Sequence, residues 1–254
     1  MASATPTNGT GTTLVTEPFA EAAGALNNAN GGTGWSGAWV EQNGNVTVPG
    51  YNVSTGTLTY TGLTTSGGRG VGGIAYETSG RGLDVTAGGP FGSNGYLTGG
   101  LIGASGKTLW MSALLRKDAA TEQTNSITLH ANNTVWYTLT PLISVGYFGT
   151  PSDNGGNRYW TLQIGTTYYR TTVPITVGTT ALVAVQINFG ATNTISLYVN
   201  PASLGGSPPG SSNASGTTTT SLAFKSLAWY AGDGAGQSSI DEIRFGDTYA
   251  SVTH

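Results

Sequence analysis

Acid–base chemistry in this sequence would have to come from twelve scattered carboxylates and two histidines, because cysteine is absent. Only His130 is internal. With one such imidazole and no thiolate, neither a zinc site of the usual His/Cys kind nor a histidine-activated serine of the G-x-S-x-G type can be assembled, and that motif occurs nowhere. His130 closes an apolar run beside Ala131-Asn132-Asn133 and reads as an ordinary turn-flanking residue. Glycosidic cleavage by two carboxylates needs a pair facing one cleft. Asp241 and Glu242 are adjacent, so on a regular strand they point to opposite faces. A pair drawn from distant positions, Glu77 with Asp84 or Glu122, stays open.

Two glycine motifs are decoys. Gly32-Thr33-Gly34-Trp35-Ser36-Gly37 satisfies G-x-G-x-x-G but opens no helix, so a dinucleotide would find no helix N-terminus. Ser105-Gly106-Lys107-Thr108 ends like a phosphate loop but leads into a strand pattern. A metal has one better candidate. In Ser239-Ile240-Asp241-Glu242-Ile243-Arg244, Ile240 and Ile243 cannot share a face unless the strand bulges. A hard cation would explain an inward acid there. Calcium takes six to eight oxygens, which Asp241, Glu17 and loop carbonyls could supply if the N-terminal segment pairs with the last strand; a salt bridge or capped turn is the alternative. Ser152–Asn157, with Asp153, is a weaker calcium or ligand candidate.

Aromatic residues point to binding. Trp35, Trp39, Trp136, Trp160 and Trp229 lie near glycines or polar residues, and a flat ring can bury the apolar C–H face of a sugar while neighbouring polar groups fix its hydroxyls. Trp160, with Arg158 and Tyr159, is the leading platform. Core packing is the competing reading for each indole, and Trp35 and Trp39 either wedge their loop closed or face a ligand. Trp110, inside Leu109-Trp110-Met111, reads as core.

The elements that would carry these residues are strands. Only 8% of the chain is charged while 41 residues are glycine, a composition suited to many short strands and tight turns. The clearest run, Ala181–Phe189, sets Val183, Val185, Ile187 and Phe189 against a mixed face; after Gly190–Asn193, Ile195, Leu197 and Val199 alternate again, which predicts an antiparallel hairpin. Further strands are expected at Thr57–Tyr60, Val71–Tyr76, Lys107–Leu115, Ser126–His130, Val135–Thr140, Ile143–Phe148, Tyr159–Ile164, Thr167–Thr172, Leu222–Tyr230 and Ser239–Phe245. Helical character is confined to Glu17–Leu26, and Leu204–Thr220 reads as a long surface loop. Strands without alternating helices predict one all-β domain over residues 1–254, a two-sheet antiparallel sandwich of the jelly-roll kind. Met1–Ser3 reads as a cloning scar and His254 as the start of a purification tag. A net charge of −3 without blocks of like charge excludes nucleic acid as a partner, and no apolar run is long enough to insert into a membrane. Low charge with abundant Gly, Thr, Ser and Asn points to a secreted or cell-surface protein.

Four stretches, Gly34-Trp35-Ser36-Gly37-Ala38-Trp39, Leu109–Arg116, Tyr198-Val199-Asn200-Pro201 and Ile240–Gly246, make the chain resemble the concanavalin A-like lectin/glucanase superfamily, and within it the laminin-G-like domains of secreted bacterial proteins. The resemblance implies a jelly roll attached to, or encoded beside, polysaccharide-degrading enzymes. It also implies glycan recognition and a structural calcium held with the help of Asp241. The superfamily's catalytic patterns, including Glu-x-Asp-x-x-Glu and the Arg-x-Glu, Gln-x-His and Tyr-x-Lys patterns of alginate lyases, do not match. The expected function is therefore a carbohydrate-binding domain that holds a polysaccharide by aromatic stacking and polar loop residues. The alternatives are a hydrolase or lyase with a non-local carboxylate pair, and an adhesion or surface-assembly module with an exposed apolar patch.

Overall fold

The computed structural model describes residues 11–43, 50–72, 77–121, 124–132, 141–148, 158–232 and 237–254. In chain order its strands are β1 (Thr13–Glu17), β2 (Gly24–Ala25), β3 (Val40–Asn43), β4 (Asn52–Ser54), β5 (Arg69–Gly72), β6 (Glu77–Gly82), β7 (Leu97–Thr98), β8 (Leu101–Ile102), β9 (Thr108–Lys117), β10 (Thr124–His130), β11 (Ile143–Tyr147), β12 (Tyr159–Ile164), β13 (Thr167–Pro174), β14 (Thr180–Asn188), β15 (Asn193–Val199), β16 (Ala214–Thr218), β17 (Ser226–Gly232) and β18 (Ser238–Gly246). They form a nine-stranded sheet, β16-β15-β14-β9-β18-β5-β4-β2 with β1 also on β18, a seven-stranded sheet, β13-β12-β11-β10-β17-β6-β3, and the ribbon β7-β8. Every pairing is antiparallel. The all-β sandwich expected from the composition is the fold, and the expected hairpin is β14–β15.

The core follows from period-2 alternation. Leu109, Met111, Ala113 and Leu115 of β9 and Val183, Val185 and Ile187 of β14 face Ile127 and Leu129 of β10, Val145 of β11, Leu162 of β12 and Leu227 of β17 across the sandwich, all nearly or fully buried. The nine-stranded sheet is also covered on its other side. Trp110, Ala184 and Tyr198 pack against Tyr249 and Val252 of the short helix α1 (Tyr249–Val252), and Leu114 and Leu182 pack against Leu58 and Leu63. Both phases of its central strands are therefore apolar, as in the Ala181–Phe189 pattern. The seven-stranded sheet has one apolar phase only.

Three expectations differ from the structure. The segment 204–220 is not all loop: β16 adds to the open edge of β15, where Ser, Gly and Thr suit a short edge strand. Thr57–Tyr60 forms no strand. Glu17–Leu26 contains the end of β1 and all of β2, and Gly24 at φ +155° explains why no helix runs through it. Val135–Thr140 lies outside the described residues.

Candidate ligand-binding face

Most indoles named from the sequence are structural. Trp160 is 2% exposed and meets Tyr147 edge-on at 5.9 Å; Trp229 is fully buried, edge-on to Tyr51 at 4.6 Å, with its N–H donated to Asn125 Oδ1 at 2.8 Å. Trp39 is fully buried and donates its indole N–H to Glu17 at 2.9 Å. None of these three rings offers a face to a sugar, because each sits on the apolar phase of its sheet or under the N-terminal loop. Trp35 is half-buried, donates to Thr16 O at 2.9 Å and lies 4.8 Å beneath the Arg81 guanidinium, so it wedges the loop closed. Gly32, at φ +69°, completes that wedge: a Cβ there would stand 2.1 Å from Thr16 O. Trp136 and the Asp153 loop lie outside the described residues. Arg158 and Tyr159, in contrast, are exposed.

Among the described residues the carboxylates do not assemble a calcium site. Glu17, on β1, is an ion-pair partner of Arg81, on β6, and also accepts from Phe19 N at 3.0 Å. Burial raises its carboxyl above the ordinary range against the pull of Arg81. Asp241 faces another segment, accepting from Thr57 Oγ1 at 2.6 Å, Leu58 N at 2.8 Å and Glu242 N at 2.8 Å. Oxygens already facing N–H and O–H donors or a guanidinium do not fit a cation, and among the described residues no three His, Asp or Glu side chains group for one. The bulge required by Ile240 and Ile243 is present. The register on β9 shifts between Asp241 and Arg244, with Glu242 at φ +49° and both isoleucines fully buried. That bulge overturns the expected opposition of Asp241 and Glu242: both carboxylates reach the 57–66 segment, Glu242 accepting from Ser66 N at 2.5 Å. Asp84 caps its own turn through Thr86, and Glu122 lies outside the described residues.

The polar phase of the seven-stranded sheet is where unsatisfied hydrogen-bonding groups collect. Following the register, Gln42, Thr78, Tyr230, Ser126, Gly146, Thr161 and Arg170 form one row across β3, β6, β17, β10, β11, β12 and β13. Val40, Gly80, Ala228, Thr128, Ser144, Gln163 and Tyr168 form the next, with Val40 exposed at its β3 end. His130 and Ser226 begin a third. Small residues, Ser126, Gly146, Ala228 and Ser144, lie between larger ones, Tyr230 on one side and Gln163, Tyr168 and Arg170 on the other. Gly146 is required there, since its φ is +151° and a Cβ would stand 2.0 Å from Asn125 O. Six steps between strands of about 4.8 Å make the row roughly 29 Å long.

Three groups on this face are more than nine-tenths buried yet without a hydrogen-bond partner: Thr78 Oγ1, Ser144 Oγ and His130 Nδ1. Each lies beneath covering protein, out of contact with solvent, and departs from the usual satisfaction of buried polar atoms. Burial pushes the His130 imidazole down to about 4, which keeps it neutral at physiological pH. The rows contain no carboxylate. Tyr159 belongs to the same phase of β12 and is exposed at the margin, 36% accessible. Two depressions elsewhere, ≈ 610 Å³ beside Tyr60 and Thr180 and ≈ 240 Å³ beside Gly165 and Thr220, are lined by no charged side chain and by none of these unsatisfied groups.

The polar face was missed in the sequence, although its signal was present: Ser126, Thr128 and His130 alternate with Ile127 and Leu129, Ser144 with Ile143 and Val145, and Thr161 and Gln163 with Trp160, Leu162 and Ile164. Reading each strand alone assigned those polar residues to solvent.

No family model matches the chain, and no curated protein matches it. Among solved structures, the globular domain of T. cruzi calreticulin is similar over 93% of this chain and 88% of that one, with a TM-score of 0.56 at 12% identity. The fold is a two-sheet antiparallel β-sandwich. At that identity the likeness speaks for the fold alone. Endo-β-1,4-glucuronan lyase from the fungus Trichoderma reesei (TM-score 0.44, 11% identity, 87% of this chain and 94% of that one) and the exoplasmic/lumenal domain of VIP36 in its Ca2+/Man3GlcNAc-bound form (0.46, 9%, 82% and 83%) are more distant. Among the described residues no helix is long and apolar enough to cross a membrane.

Proposed function

We propose that this chain is a secreted, laminin-G-like, single jelly-roll domain that binds a polysaccharide along the polar face of its seven-stranded sheet. The observation that carries the reading is the set of partly exposed Gln42, Tyr230, Arg170 and Tyr168 and exposed Tyr159 that the register gathers on one face of the sheet. A polyhydroxylated chain supplies donors and acceptors in alternation to such amide, phenol and guanidinium groups, while the Tyr159, Tyr168 and Tyr230 rings give stacking or edge contacts. The length of the row favours a polymer over a single sugar. This moves the site from the tryptophan loops to a sheet face.

A cleaving enzyme built on two carboxylates finds no pair among the described residues of this face. An adhesion surface finds little support either: of the large apolar side chains exposed among the described residues, Val40 on β3 and Tyr159 on β12 are five strand steps apart on this face and Val177 lies outside it. The test is affinity electrophoresis on a polysaccharide panel, followed by an assay for new reducing or unsaturated ends. Retention without products, weakened by Y168A and Y159A but not by W35F, supports a binding face. Products would require an enzyme instead, and retention indifferent to Tyr168 and Tyr159 would put the site elsewhere.

A further inference from the structure

The ≈ 610 Å³ depression beside Tyr60 and Thr180 lies on the outer side of the nine-stranded sheet, turned away from the seven-stranded one. Its side follows from strand phase. Ala181, Val183 and Val185 of β14 point into the sandwich, so Thr180 and Leu182 point out, where Leu58 and Leu63 pack on Leu182. Three segments wall the depression: Thr59–Thr61, the turn that ends at Thr180, and Pro201 with Ala202. Each is tied to the sheet next to it. Thr57 Oγ1 and Leu58 N donate to Asp241, Gly178 N donates to Lys117 O at 2.8 Å, and Asn200 both donates to Leu182 O at 2.8 Å and accepts from Leu182 N at 3.1 Å. Tyr60 joins two of the walls, its hydroxyl donating to Pro201 O at 3.4 Å. The depression is therefore preformed, and its volume falls within the roughly 300–1,000 Å³ of small-molecule sites.

Its lining selects a chemistry. Thr59, Thr61 and Thr179 are exposed and Thr180 and Tyr60 half-buried, so four threonines and one phenol stand where a ligand can reach them. Gly178, at φ +77°, leaves its part of the wall bare, with no atom within 4 Å of where a Cβ would stand. No charged side chain lines the space, so an ion finds no counter-charge there. A hydrocarbon finds only a proline ring, an alanine methyl and the Tyr60 ring to displace water against. What matches hydroxyls set around one aromatic ring is a neutral molecule with hydroxyls at its rim and C–H groups on its faces. We infer that the depression is a second saccharide site, for a short neutral sugar held by Tyr60 and the surrounding threonines. It shares no residue with the polar rows and lies on the opposite side of the sandwich, so it does not rest on the reading of that face. The domain then presents a glycan-binding surface on each side.

The experiment is 1H–15N NMR on the intact chain, titrated to millimolar concentrations with cellobiose, maltose and mannobiose. At least one disaccharide should give saturable shifts at the amides of Thr59, Tyr60, Thr179 and Ala202. Y60A should weaken that binding about tenfold, the worth of one aromatic contact. T179W, at an exposed turn position, should fill the depression and abolish the shifts, so a Y60A protein that loosens the 57–66 segment does not remove the test. Y159A, on the other face, should leave them unchanged. Shifts confined to the surroundings of Tyr159 and Tyr168 would overturn the second site and leave the polar face standing. Shifts confined to the depression would support the second site while the reading of the polar face falls. The inference is overturned equally if none of the three sugars moves these amides, or if T179W leaves the shifts intact.

Discussion

Glu17 and Arg81 form a buried ion pair that ties β1 of the nine-stranded sheet to β6 of the seven-stranded sheet. Arg81 also donates to Gly31 O at 2.9 Å, Gly37 O at 2.9 Å and Asn30 Oδ1 at 2.8 Å, and its guanidinium lies over Trp35 and 5.7 Å from the centroid of Trp39. One cation thus organises the whole N-terminal loop. Removing either partner leaves the other charge buried, so E17L and R81M should each cost about 3–5 kcal/mol in urea unfolding, while the double E17L/R81M variant should cost less than the sum. Additive losses would show that the two residues do not act as a pair.

The indoles divide by role, and stability should divide the same way. W160A opens a cavity beside Tyr147 and should lose about 3–5 kcal/mol, whereas Y159A, one residue away on the opposite phase, should change stability by less than about 0.5 kcal/mol and reduce polysaccharide retention. A stable W160A protein with lost retention would return the indole to the ligand site.

Stability should depend on pH through two buried groups of opposite sign. Burial raises the Asp241 carboxyl from 3.8 to about 8, against three hydrogen bonds that favour the charged form. A raised folded-state value means its contribution is present below about 3.8 and is lost as pH rises through about 8. His130 falls from 6.5 to about 4, so its contribution is present above 6.5 and lost as pH drops through about 4. Between about pH 4 and 6.5 the two slopes oppose one another. Above 6.5 the Asp241 slope remains. Urea midpoints should therefore fall from about pH 6.5 to 8, less steeply in D241N, and H130F should flatten the acid side, where the imidazole is worth on the order of 2–3 kcal/mol. Equal alkaline slopes in wild type and D241N would remove Asp241 from this account.

Calcium offers a direct check on the acids. Because Asp241 and Glu17 are saturated by protein donors, adding millimolar calcium or a chelator should leave Tm unchanged; ligand linkage would otherwise raise it by several degrees. Such a rise, abolished by D241N, would show that the Thr57 and Leu58 donors give way to an ion.

Much of the architecture was legible because alternation is a local property. The β14–β15 hairpin and the strand at β12 were read from spacing alone, and spacing also showed that Ile240 and Ile243 could share a face only through a bulge or a bend. The short edge strands β2, β3 and β16 were not, since a few Gly, Thr or Asn residues pair only when a neighbouring edge is offered. The tryptophans show the same limit from the other side. A Trp beside glycine and arginine has one sequence appearance whether it packs or binds, and only the sheet's phase puts Trp160 inside and Tyr159 outside.

By itself the sequence determined the all-β class, the strand periods, the need for a bulge at Asp241 and the absence of thiolate or histidine-cluster chemistry, because each follows from residue type and near-neighbour spacing. The tertiary structure decided which residues share a face. Thr78, Ser144 and His130 lie on three different strands, far apart in the chain, and become one surface only through the register of β6, β17, β10 and β11. Glu17 meets Arg81 instead of Asp241 for the same reason: the partner of a buried charge is chosen by how two sheets are stacked, which no local pattern encodes.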